Sequence, residues 1–128
     1  MKNKITAVQT FHEAFGLGMK YSPTANLDAH KNLLRYKLMR EENEEYLDAA
    51  NNKDLVEVAD ALGDMLYILC GTIIEHGMQH KIEEVFNEIQ KSNMSKLGAD
   101  GKPIFREDGK VLKGPNYFKP DIKTILDR

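Results

Sequence analysis

An all-α fold, an antiparallel four-helix-type bundle followed by an irregular tail, is predicted by three features of this chain. Apolar residues recur at intervals of three and four through most of residues 6–97. Breakers separate these stretches at Gly16-Leu17-Gly18, Asn51-Asn52, Gly77 and Gly98, and connections this short favour antiparallel neighbours. Residues 98–128 instead contain Gly101-Lys102-Pro103 and Gly114-Pro115-Asn116, which no helix tolerates.

Each element has its own signals. A short first helix is expected over residues 6–15. After the Tyr21-Ser22-Pro23-Thr24 loop, Asn26 reads as the cap of a long helix over 27–50. Asn52 is expected to cap a third helix, with Asp54 in its first turn, that stops before Gly77. A fourth spans 80–97. In the tail, Ile104-Phe105-Arg106 and Lys110-Val111-Leu112 flank Glu107-Asp108-Gly109, the pattern of a short β-hairpin, and Pro120-Asp121 opens a last short helix.

The 128 residues read as a single domain, 1–128, with a helical core over 6–97 and a tail over 98–128. That length supports a core yet favours oligomerisation. A net charge of −2 supplies no basic footprint for a nucleic acid polymer or a membrane. The one cysteine, Cys70, excludes an internal disulfide, and its apolar surroundings place it in the core. With no signal-peptide pattern at the N-terminus, and an apolar run over 65–74 too short for a bilayer, the expected compartment is the cytoplasm.

The chemistry is suggested by carboxylates on two successive helices. On the second, Glu41, Glu42 and Glu45 share a sector of about 100° with Leu27, Leu34, Leu38 and Ala49. They therefore continue an inward-facing apolar stripe, whereas Arg40 and Glu44 project elsewhere. On the third, Leu55, Ala59, Leu62, Leu66, Leu69 and Ile73 form a seam, with Glu57, Asp60 and Asp64 on the opposite side. Val56, Tyr67, Ile68 and Ile74 flank those acids, so the helix is apolar nearly all round and reads as buried. Antiparallel pairing across Asn51-Asn52 sets Glu45 near the height of Glu57, and Glu41 and Glu42 opposite Asp60 and Asp64.

Facing acids raise one another's pKa unless a cation intervenes, and all-oxygen donors select Mg²⁺ or Mn²⁺. A di-iron bundle would need Glu-x-x-His pairs. None of His12, His30, His76 or His80 supplies one in these stripes, and each histidine reads as a surface or loop-end residue.

Glu41-Glu42-Asn43-Glu44-Glu45, followed by Glu57-Val58-Ala59-Asp60, resembles the Glu-Glu-x-x-Glu and Glu-x-x-Asp signature of the all-α nucleoside triphosphate pyrophosphohydrolases, the MazG-like and phosphoribosyl-ATP pyrophosphohydrolase-like superfamily. A second register is also open. Leu62-Gly63-Asp64-Met65-Leu66-Tyr67 resembles a neighbouring family stretch, and in that register Ala61 takes the place of the family glutamate. The fourth ligand thus stays open among Glu57, Asp60 and Asp64. Ser92-Asn93-Met94-Ser95-Lys96, Asp100-Gly101-Lys102-Pro103 and Lys113-Gly114-Pro115-Asn116-Tyr117-Phe118 are similar to the tail of one subgroup.

The resemblance implies Mg²⁺-dependent cleavage of a (deoxy)nucleoside triphosphate to monophosphate and pyrophosphate, by a homodimer or homotetramer. It suggests Glu42, Glu45, Asp60 and Asp64 as metal ligands with Glu57 as a further one, and Glu41 as the group that orients or deprotonates water. Asn93, Lys96, Lys110, Lys113 and Tyr117 are the candidates for binding the nucleotide. Phosphoribosyl-ATP hydrolysis is the related alternative, and a non-catalytic helical module that binds a nucleotide or a protein partner is the alternative from another class.

Overall fold

Helix periodicity is realised in five helices, and the fold is all-α. A computed structural model describes residues 1–128, which divide into two compact units, Met1–His80 and Lys81–Arg128.

The first unit holds α1 (Lys2–Ala14), α2 (Ala29–Asn51) and α3 (Leu55–Glu75). Helix α1 begins four residues before the expected start, and its last turn runs into Gly16, whose φ of 67° is the left-handed conformation glycine adopts readily. Both expected caps are corrected by two residues. Asp28, not Asn26, caps α2, its Oδ1 accepting the amide of His30 at 2.7 Å. Asp54, not Asn52, caps α3, its Oδ1 accepting the amide of Glu57 at 3.2 Å. Asn52 instead ends α2, and Lys53 turns the chain with a φ of 55°. This tight link makes α2 and α3 an antiparallel hairpin.

Ile5 and Val8 of α1, Ala49 of α2 and Ala61, Cys70, Ile73 and Ile74 of α3 form the buried apolar core of this unit. Burial pushes the Cys70 thiol pKa up, which keeps it protonated and inert. Gly77 ends α3 with a φ of 70°, and a Cβ there would stand 2.1 Å from the carbonyl oxygen of Ser22. The expectation that histidines lie at the surface fails for His12, which is buried with Nδ1 3.0 Å from the carbonyl oxygen of Gly18.

The expected burial of α3 on nearly all sides is corrected as well. Its seam residues Leu55, Leu62, Leu66 and Leu69 are 78%, 49%, 36% and 44% exposed. In the stripe expected on α2, Leu34, Glu41 and Glu45 are exposed, Leu27, Leu38 and Glu42 half-buried and Ala49 buried, so the stripe faces the protein only in part.

The second unit holds α4 (Ile82–Met94) and α5 (Ile122–Asp127). Helix α4 is shorter than the expected 80–97 because Ser95 caps it and the chain then turns through Lys96 and Leu97. The segment after it is tied back by Ser92 Oγ, which donates to the carbonyl of Phe118 at 2.8 Å, and by the Phe118 amide, which donates to Ser95 Oγ at 3.1 Å. The expected hairpin is one isolated antiparallel bridge, Phe105 with Val111, closed at Gly109, where φ is 88°. Asp121 caps α5, accepting the Thr124 amide at 3.2 Å. No helix is long and apolar enough to cross a membrane.

Candidate active site

The acids of α2 and α3 come together along the hairpin. Glu42 is the only one of the six candidates that is half-buried; Glu41, Glu45, Glu57, Asp60 and Asp64 are exposed. Its Oε2 is shut off from solvent and has no hydrogen-bond partner. Burial is the chief reason its carboxyl is raised from the ordinary 4.5 to about 7. The neighbouring carboxyl of Glu45 and the negative charges of Asp64 and Asp60 add to the rise. Ala49 of α2 and Ala61 of α3 are buried on the same two helices.

Glu57 sits further along. It shares with Glu45 a cleft of about 220 Å³, lined also by Asp48, Ala49, Asn52 and Asp54. Asp48 was not among the sequence candidates. Its signal is there nonetheless, since it lies three residues after Glu45 and so on the same side of α2. Glu41 is exposed on α2, next to Arg40, whose Nε donates to Glu44 Oε1 at 3.0 Å on the solvent side. A cleft of about 510 Å³ lies elsewhere. It is lined by Arg35, Tyr36, Met39, Leu69, Thr72 and their neighbours and contains no carboxylate, so volume does not mark the acidic site.

The donor set suits a hard divalent cation in chemistry: all oxygen, mutually repelling, with one buried oxygen lacking a partner. The carboxylates are not gathered into a closed group of three or more that encloses one ion. Glu45, Asp60 and Asp64 are exposed, and no packing contact buries their carboxylates.

The other candidates belong to the second unit. Asn93 is exposed near the end of α4, and its carbonyl accepts the Lys96 amide at 3.1 Å. Lys96 is half-buried, and its carbonyl accepts the Gly114 amide at 2.7 Å. A Cβ at Gly114 would stand 2.2 Å from the carbonyl oxygen of Leu97, so this close approach needs glycine. Lys113 Nζ sits 4.8 Å from the centre of the Tyr117 ring, a cation–π contact. Lys110 lies at the end of the bridge turn, its amide donating to Asp108 Oδ1 at 3.1 Å. These residues thus gather on one tied-back segment, with Asn93 and Lys96 at its root.

Residues 8–93 match the family model of phosphoribosyl-ATP pyrophosphohydrolase, a span that contains the six candidate carboxylates of α2 and α3. The chain belongs to that family. It is 32% identical over 98 residues to an uncharacterized protein of Acanthamoeba polyphaga mimivirus, a match covering 74% of this chain and 35% of the relative. The chain thus spans about a third of the length of that curated relative. It is also similar to a crystal structure from Exiguobacterium sp. 255-15, described as a candidate NTP pyrophosphohydrolase. That match has 28% identity and a TM-score of 0.52, and covers 98% of this chain and 95% of the other.

Proposed function

We propose that this protein hydrolyses a (deoxy)nucleoside triphosphate between the α- and β-phosphates, using Mg²⁺ or Mn²⁺ held by the α2/α3 carboxylates. The observation that carries this reading is Glu42: a carboxylate oxygen with no partner, surrounded by Glu45, Asp60 and Asp64. The family match and the structural neighbour support the pyrophosphohydrolase class.

In this reading Glu42, Glu45, Asp60 and Asp64 hold the cation, with Glu57 joining through the cleft it shares with Glu45. Bound Mg²⁺ neutralises phosphate oxygens and acidifies water. Exposed Glu41, adjacent to the ligand Glu42, accepts the proton of the attacking water. Lys96, Lys110 and Lys113 offset phosphate charge, Asn93 donates to phosphate or sugar, and Tyr117 stacks on the base. The family description specifically favours phosphoribosyl-ATP as a second substrate to test.

The leucine seam of α3 supports self-association. Leu55, Ala59, Leu62, Leu66, Leu69 and Ile73 alternate steps of four and three, the spacing of a helix–helix seam, and all but Ile73 are exposed. In this reading a second copy covers the seam, in a homodimer or homotetramer.

The test of the reaction is product identity. ³¹P NMR of a nucleoside triphosphate turned over with Mg²⁺ should show monophosphate and pyrophosphate, and EDTA should stop their formation. Orthophosphate as the first product would overturn the α–β assignment. Nucleotide binding without any product would favour the non-catalytic module.

A further inference from the structure

About two helical turns from the acids, α2 and α3 are joined by buried charge. Arg35 reaches from α2 to α3 with its side chain only 11% exposed. Its Nη2 donates to the carbonyl of Ile68 at 2.8 Å and its Nε to Thr72 Oγ1 at 3.0 Å. Nε also lies 3.1 Å from Oε2 of Glu75, a residue 3% exposed. Lys31, one turn before Arg35, places Nζ 2.8 Å from the other oxygen of Glu75. Gly71 makes room for this: a Cβ there would stand 2.6 Å from Arg35 Nη2 and 3.0 Å from His12 Nε2. Three helices thus converge on one glycine.

The same faces carry the acids. Arg35, Glu42 and Ala49 recur every seven residues on α2, as do Glu57, Asp64 and Gly71 on α3. Seven residues are about two turns, so each set runs along one side of its helix. In an antiparallel hairpin with Arg35 over Gly71, Glu42 comes opposite Asp64 and Ala49 opposite Glu57. The turn at residues 52–54 fastens one end of this seam and Arg35 fastens the other. Between them lie carboxylates that repel one another. Burial lowers the Arg35 pKa while Glu75 opposes that shift, as expected of a desolvated cation kept charged by its partner.

We propose that Arg35, seated over Gly71 and tied to Thr72 and Glu75, is a positioning residue of the acidic site. It holds α2 against α3 so that Glu42 faces Asp64 before any cation arrives. This rests on the metal-site reading given above.

The test is Mn²⁺ binding to the full-length protein, followed by EPR, for wild type, Arg35→Met, Thr72→Val and Arg40→Met. The sign of the effect separates positioning from electrostatics. Removing a positive charge tightens cation binding through space, whereas loss of the clamp weakens it. Arg40→Met is the charge control, since Arg40 is an exposed cation of the same helix that interacts with Glu44 and Tyr36 and makes no contact with Gly71, Thr72 or Glu75. Arg35→Met, shown folded by circular dichroism, should weaken Mn²⁺ binding about tenfold, as when only about a tenth of the molecules hold the competent arrangement. Arg40→Met should leave affinity unchanged or tighter. At saturating Mn²⁺ the turnover of Arg35→Met should return to within about twofold of wild type, which a general loss of structure would not allow.

Thr72→Val removes one acceptor of Arg35 without stranding a charge, and should weaken Mn²⁺ about two- to threefold; it decides the matter if Arg35→Met does not fold. A folded Arg35→Met, or in its absence Thr72→Val, that binds Mn²⁺ as tightly as wild type or tighter overturns the inference. Wild-type protein that binds no Mn²⁺ overturns the metal-site reading itself.

Discussion

Replacing Glu42 with glutamine should make the metal-free protein more stable while removing its function. The folded protein raises this carboxyl from 4.5 to about 7, chiefly by burial and then by Glu45, Asp64 and Asp60. A raised carboxyl pKa means that the folded state keeps a proton which the unfolded chain releases. Stability is therefore full below about pH 4.5, declines as pH rises toward 7, and is flat above. Each pH step across that window costs about 1.4 kcal/mol, an upper bound of roughly 3 kcal/mol by pH 8. Because Glu45, Asp60 and Asp64 are exposed and screened by salt, about 1–3 kcal/mol is the expected range. Glutamine keeps the size of the side chain, carries no charge, and offers an NH₂ that donates to Glu45.

The assay is thermal unfolding in EDTA at low salt, at pH 4.5 and pH 8. At pH 8 Glu42→Gln should melt higher by about 3–10 °C, and at pH 4.5 the two proteins should melt together. Raising the salt should shrink the gap at pH 8. Adding Mg²⁺ at pH 8 should raise the melting temperature of wild type but not of the variant. A variant that melts below wild type at pH 8, or by the same margin at both pH values, would refute the account of Glu42.

Other expectations follow from named contacts. Asp64→Asn removes one of the charges acting on Glu42, so calorimetric Mg²⁺ affinity should fall about tenfold or more while the metal-free protein becomes no less stable. Leu66→Glu puts a charge into the exposed seam of α3 and should shift the mass measured by light scattering toward the monomer, with helicity retained. Ile74→Ala empties a site that is 0% exposed, and denaturant melts should show a loss of about 2–5 kcal/mol. Asp54→Ala takes the cap from α3 and should cost about 1 kcal/mol in the same melts.

The first three helices were legible because period and punctuation agree: each apolar stretch at 3.6-residue spacing ends at a glycine or an asparagine pair, whereas α4 stops at Ser95, short of Gly98. The caps were less so. At Asn26 and Asp28, and again at Asn52 and Asp54, two capping residues stand two apart, and the choice depends on backbone direction. Lys53 at a φ of 55° carries the chain past Asn52, so Asp54 receives the first free amide. The tail hairpin was readable at Glu107-Asp108-Gly109, but its strands are too short for more than one bridge.

Within the site, spacing alone placed acids on one side of each helix. It did not reveal Arg35 and Glu75, because their partnership joins residues far apart in sequence. A signal was available in the seven-residue step from Arg35 to Glu42, and in the continuation of the Glu57 and Asp64 face through Gly71 to Glu75. The seam of α3 shows the limit of periodicity most clearly. Leu62, Leu66 and Leu69 declare that the helix seeks an apolar partner, but spacing within one chain does not say which chain supplies it.

The most direct test of the central claim is pyrophosphate release from a panel of NTPs, dNTPs and phosphoribosyl-ATP, with and without Mg²⁺, by wild type and Glu42→Gln. The account predicts release from at least one substrate, abolished both by omitting the metal and by the substitution. Release that persists in Glu42→Gln, or no release from any substrate by folded protein that binds Mg²⁺, would contradict it.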